Sequence, residues 1–133
     1  MTDPMAQPSE GATVLVVEDE DAIRASIRRL LEREGYSVLE ASDGAEALEL
    51  LEDKANNQVA LVLTDLRMPG MDGRQLAAAL ARRRPSLPIV FMSGFTAQLM
   101  DLRLVSPHLA LLAKPFRDSD LLATVRDQLT RSA

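Results

Sequence analysis

The chain contains no cysteine and no tryptophan. Lack of cysteine excludes disulfides, thiolate chemistry and cysteine-based zinc sites together, and is compatible with a reducing cytoplasm. Aromatic residues make up only 3% of the sequence, which leaves little to stack on a flavin and argues against a flavodoxin-like cofactor binder. No apolar stretch approaches the roughly 20 residues that span a bilayer. The start, Met1-Thr2-Asp3-Pro4, lacks the basic region and apolar run of a signal peptide, so no export is expected. An excess of positive charge is also missing. The net charge of -5, with 26% charged residues, argues against direct contact with nucleic acid or an anionic membrane. The single histidine, His108, follows Ser106-Pro107 and reads as a surface loop residue, not as the exposed helical histidine of a kinase. Gly70 and Gly73 form no phosphate-cradling loop of the dinucleotide or P-loop kind.

What is present is one domain's worth of core: 133 residues, 47% of them hydrophobic. The first 12 residues, with Pro4, Pro8, Ser9 and Gly11, are expected to form a flexible lead-in, and 13–131 the folded domain. Short apolar runs then alternate with amphipathic stretches, the pattern of a parallel sheet crossed by helices. Strands are predicted at Thr13–Val17, Tyr36–Glu40, Ala60–Thr64, Ile89–Met92 and Leu109–Ala113. Helices are predicted at Glu20–Glu34, after a cap at Ser42 or Asp43, from Asp72-Gly73, at Thr96–Leu104 and at Asp118–Thr130. The first helix carries Ala22, Ile23, Ile27, Leu30 and Leu31 on one stripe. Arg82, Arg83 and Arg84 read as favourable charge at a helix carboxyl end. The fold class is α/β, a doubly wound five-stranded parallel sheet whose crevice lies beyond the strands' carboxyl ends.

Chemistry gathers at those ends. Val14-Leu15-Val16-Val17 stops on Glu18-Asp19-Glu20, Leu61-Val62-Leu63-Thr64 on Asp65, Ile89 to Met92 on Ser93, and Leu109 to Ala113 on Lys114. Acids, an acid, a hydroxyl and an amine form the inventory of a site holding a divalent cation and a phosphoryl group. Glu18, Asp19 and Asp65 can hold magnesium, whose charge relieves their mutual repulsion. Asp65 is the candidate nucleophile, while Ser93 and Lys114 are placed to stabilise phosphoryl oxygens. Taken alone, Asp65 reads more readily as a cap or turn residue and Glu18-Asp19-Glu20 as a capping cluster, and Ser93 or Lys114 means little; the joint occurrence carries the reading.

The segments 14–20 (VLVVEDE), 63–73 (LTDLRMPGMDG), 92–94 (MSG) and 114–116 (KPF) resemble the receiver domain of bacterial two-component response regulators. The resemblance spans Thr13 to Leu129. It implies a flavodoxin-like strand order of 2-1-3-4-5 and phosphoryl transfer to Asp65 from a histidine kinase or histidine phosphotransfer protein. It further implies Mg2+ bound by Glu18, Asp19, Asp65 and the backbone carbonyl of Arg67, with Ser93 and Lys114 on the phosphoryl group. A cis peptide before Pro115 and a first helix that docks the donor, through Ile23 and Ile27 if these are partly exposed, belong to the same expectation. The Ser93-Gly94-Phe95 loop and the 111–116 segment are most similar to receivers of hybrid histidine kinases. One departure stands out: the switch aromatic of the family, three residues before the lysine, is Leu111 here. An aliphatic side chain cannot make that flip, so the Gly94-Phe95 loop is expected to move instead.

Two other functional classes compete. A metal-dependent phosphohydrolase of the haloacid dehalogenase type would carry a second acid two residues after its nucleophile, where this chain has Arg67. A pseudo-receiver would keep the fold as an interaction domain without phosphorylation, against which stands the complete set of acids, hydroxyl and lysine.

Overall fold

The computed structural model describes residues 11–56, 58–66, 70, 73–93 and 109–132. The predicted Thr96–Leu104 helix, the Gly94-Phe95 loop, His108, Arg67 and most of the N-terminal lead-in lie outside these residues. Five strands, β1 Thr13–Val17, β2 Ser37–Ala41, β3 Val59–Asp65, β4 Ile89–Ser93 and β5 Leu109–Ala113, form one sheet in the order β2-β1-β3-β4-β5. Every strand pairing is parallel. The described helices are α1 Asp21–Arg33, α2 Gly44–Glu52, α3 Gly73–Arg83 and α4 Asp118–Ser132, with a short 3-10 turn at Lys54–Asn56.

All five residues of β1 are buried, as expected of a central parallel strand covered on both faces. Alternation then sorts its side chains between two cores. Leu15 and Val17 join Val62, Phe91, Ala47, Leu76 and Leu80 beneath α2 and α3. Val14 and Val16 join Leu63, Met92, Ile27, Leu31, Leu121 and Val125 beneath α1 and α4.

Local chemistry starts and stops the elements. Asp43, in extended conformation, accepts the Glu46 amide at 2.8 Å, and Glu46 returns a carboxylate to the Ser42 amide at 3.0 Å, so the cap is Asp43. Asp43→Ala should cost about 1 kcal/mol in urea unfolding at neutral pH, with an unchanged m-value. After α1, Gly35 takes a φ of 96°, a left-handed turn that favours glycine. The arginine triplet divides: Arg83 pairs with Glu52 of α2, whereas Arg84 donates Nη2 to the Val59 carbonyl at 2.9 Å and ties the end of α3 to the start of β3. Helix-dipole charge is therefore only part of that triplet's work.

Two expectations need correction. β3 runs on through Asp65, and β4 through Ser93, so both polar residues are the last residues of their strands instead of the first of the loops. In α1, Ile27, Leu30 and Leu31 are buried but Ile23 is 36% exposed and Ala22 is exposed as well. The first turn of α1 has apolar periodicity without a core beneath it.

Candidate functional site

In an open parallel sheet the ligand crevice forms where neighbouring strands send their connections to opposite faces. Here that place is the carboxyl end of β1 and β3. Register pairs Val17 with Thr64, so the next residues, Glu18 and Asp65, come together one step beyond. Carboxylate oxygens of Glu18, Asp19 and Asp65 all lie within 4.8 Å of one another.

The three acids differ in environment. Glu18 is only 1% exposed, Asp65 is partly buried and Asp19 is exposed. Glu18 Oε1 accepts the Glu20 amide at 3.3 Å, and Oε2 is buried with no hydrogen-bond partner among the described residues. Burial first, and then the neighbouring charge of Asp65, push the Glu18 carboxyl from 4.5 up to about 7. Glu20 starts α1 without a side-chain capping bond, so the acidic run 18–20 is not a capping cluster.

Opposite the acids stands Lys114, whose Nζ donates to Asp65 Oδ2 at 3.0 Å. The Lys114–Pro115 peptide is cis. The Lys114 amide donates to the Ser93 carbonyl at 2.9 Å, which ties the ends of β4 and β5. Ser93 is buried, and Met92, its predecessor, is the register partner of Asp65. The acid cluster, Ser93 and Lys114 thus share one rim of the sheet. Of the expected metal ligands, the Arg67 carbonyl lies outside the described residues.

The donor set fits a hard divalent cation. It offers oxygen alone, one carboxylate oxygen is buried with no hydrogen-bond partner among the described residues, and the exposed side at Asp19 leaves room for the waters that Mg2+ keeps.

Sequence reasoning passed over Arg24. Its Nη1 donates to the Glu18 main-chain carbonyl at 2.7 Å, its Nη2 to Asp21 Oδ1 at 2.6 Å and its Nε to Glu40 Oε1 at 3.3 Å. The Asp21 hydrogen bond chiefly raises its pKa above the ordinary guanidinium value, against the burial that lowers it. The available signal was Asp21 three residues before Arg24, a spacing that places both on one helix face.

Beside the acids, Ala22, Ile23 and Ser26 of α1 and Phe116 rim an open groove of about 280 Å³, floored by Ile27 and Leu121. Ile23 meets the exposure expected of a docking residue, and Ile27, only 5% exposed, does not.

A family model described as the response regulator receiver domain matches residues 14–126. The sensor kinase CckA of Brucella abortus is 39% identical over 124 residues, which are 92% of this chain and 13% of that protein. The response regulator receiver protein CpdR of the same organism is 35% identical over 117 residues, 87% of this chain and 95% of that one. Several other relatives are matched over only about half of their length, 51–57%. Among solved structures, the receiver domain of the hybrid histidine kinase CckA superposes with a TM-score of 0.71 at 36% identity, covering 88% of this chain and 98% of that chain. Among the described residues no helix is long and apolar enough to cross a membrane.

Proposed function

Because the chain belongs to the response regulator receiver family, we propose that it accepts a phosphoryl group on Asp65 from a histidine kinase or histidine phosphotransfer protein, with Mg2+ as cofactor, in cytoplasmic two-component or phosphorelay signalling. The observation that carries this reading is the Lys114 ammonium 3.0 Å from the Asp65 carboxylate, on the side of a strand end where Glu18 and Asp19 supply further oxygens.

The chemistry follows from the groups. A lone pair of an Asp65 carboxylate oxygen forms the new P–O bond while the P–N bond of the donor phosphohistidine breaks, its electron pair leaving with the imidazole nitrogen. Glu18, Asp19 and Asp65 would hold Mg2+, with the Arg67 carbonyl proposed as a fourth ligand. The ion supplies charge that both the acids and the incoming phosphoryl oxygens need. The Lys114 ammonium, already beside Asp65, and the Ser93 hydroxyl donate to those oxygens as charge shifts onto them. The apolar groove along α1 suits aliphatic side chains of a helical donor, with Ile23 as the first contact.

Similarity to the CckA receiver supports placing the domain in a hybrid histidine kinase context. No turnover of a small substrate is proposed: the chain's own chemistry is limited to taking up and losing its phosphoryl group.

The test is incubation with acetyl phosphate, read by intact mass. The wild type is expected to gain one phosphoryl group with Mg2+ and none in EDTA. Absence of both uptake and Mg2+ binding would replace this reading with a pseudo-receiver, and sustained hydrolysis of phosphomonoesters would replace it with a phosphohydrolase.

A further inference from the structure

Glu18 stands one residue past β1, where the regular ladder has ended, and its buried carboxylate must nevertheless be held beside two other acids. Its amide is held by the Ala41 carbonyl at 3.1 Å, at the end of β2. Its carbonyl is held by Arg24 Nη1 at 2.7 Å. The guanidinium is itself fixed, with a side chain only 16% exposed, by Asp21 in its own helix and Glu40 in β2. One planar fork therefore ties three acceptors, of which one is the backbone of a cluster residue.

We propose that Arg24 is a positioning residue: its clamp on the Glu18 main-chain carbonyl sets the divalent-cation affinity of the acid cluster. The proposal rests on the reading of Glu18, Asp19 and Asp65 as cation ligands. Mutual repulsion drives the Glu18-Asp19 segment away from Asp65, and the clamp opposes that movement in the protein without cation. Groups that orient ligands without touching the metal typically account for about 10–100-fold in metal affinity.

The neighbouring Arg28 separates this role from ordinary salt-bridge packing. It reaches the same Glu40 at 3.7 Å and Glu32 at 4.0 Å, and bonds nothing at Glu18 among the described residues. Calorimetric titration with MgCl2 of wild type, Arg24→Ala and Arg28→Ala is the test. Arg24→Ala is expected to raise the Kd about 10-fold, while Arg28→Ala stays close to wild type. In EDTA, Arg24→Ala should also speed hydrogen exchange at the Glu18 and Glu20 amides, and Arg28→Ala should not. If Arg24→Ala fails to fold, Arg24→Lys carries the same titration: an ammonium keeps the charge but cannot span the three acceptors, and a several-fold loss of affinity is expected.

Wild-type affinity in whichever Arg24 variant folds, or an equal loss in Arg28→Ala, overturns the clamp while the cation reading stands. Absence of Mg2+ binding by the wild type overturns both.

Discussion

Asp65→Asn gains no phosphoryl group from acetyl phosphate and Mg2+ under conditions that load the wild type. A carboxamide oxygen has neither the charge nor the basicity to displace a leaving group from phosphorus. The variant should remain folded, because the amide keeps the carboxylate's shape while removing one of the charges that crowd Glu18. Its cost is the ion pair with Lys114, whose partners are 32% and 14% exposed. Intact mass gives the uptake and thermal unfolding the folded state. Continued uptake by Asp65→Asn would move the acceptor to another residue. Lys114→Ala is the graded companion. It leaves the nucleophile in place but removes a donor from the developing phosphoryl charge, with an expected fall of about 100-fold or more in uptake rate.

The second large effect is a pH dependence of stability that has the opposite sign to that of most carboxylates. Glu18 titrates at about 7 in the folded protein against 4.5 as its ordinary value. Between those values the folded state keeps a proton that the unfolded chain releases, so stability falls as pH rises. The contribution is fully present below pH 4.5, is lost progressively up to about 7 and is flat above that. A shift of this size corresponds to about 3 kcal/mol. In EDTA, urea unfolding of wild type and Glu18→Gln should therefore agree near pH 4.5 and diverge by about that amount at pH 8, with the variant the more stable. Mg2+ narrows that gap at pH 8, since it binds the ionised Glu18 that costs stability in its absence. Parallel pH curves for the two proteins would mean that Glu18 is not held against Asp65 in a dry site.

Both predictions depend on one rim of the sheet, and much of that rim was legible from residue order. The five-residue segments Thr13–Val17 and Ala60–Thr64, each apolar but for one threonine, must be buried strands, and a charged residue directly after such a segment has to emerge at the sheet's edge. The spans of the four described helices were legible for the same reason, since apolar spacing near 3.6 residues marks their buried faces. Periodicity failed at Ile23, which has the right spacing yet stays 36% exposed at the rim of the open groove over Ile27 and Leu121. It also could not see Arg24, whose three acceptors come from the end of β1, the first turn of α1 and β2. Strand order came from the resemblance to receivers, because alternating βα units alone leave several orders open.

By itself, then, the amino-acid order determined which of the described segments are strands and helices, that the sheet is parallel, and which acids, hydroxyl and amine stand at the strand ends. These follow from short-range periodicity and from the length of each apolar run. Only the tertiary structure decided that Glu18 is the dry acid and Asp19 the wet one, and that Lys114 sits on Asp65. It also turned an arginine on α1 toward the backbone one residue past β1. Burial, charge separation and hydrogen-bond partners are set by residues distant in sequence. The Glu18 carboxyl acquires its raised proton affinity only when β1 is enclosed between β2 and β3 with α1 packed over it.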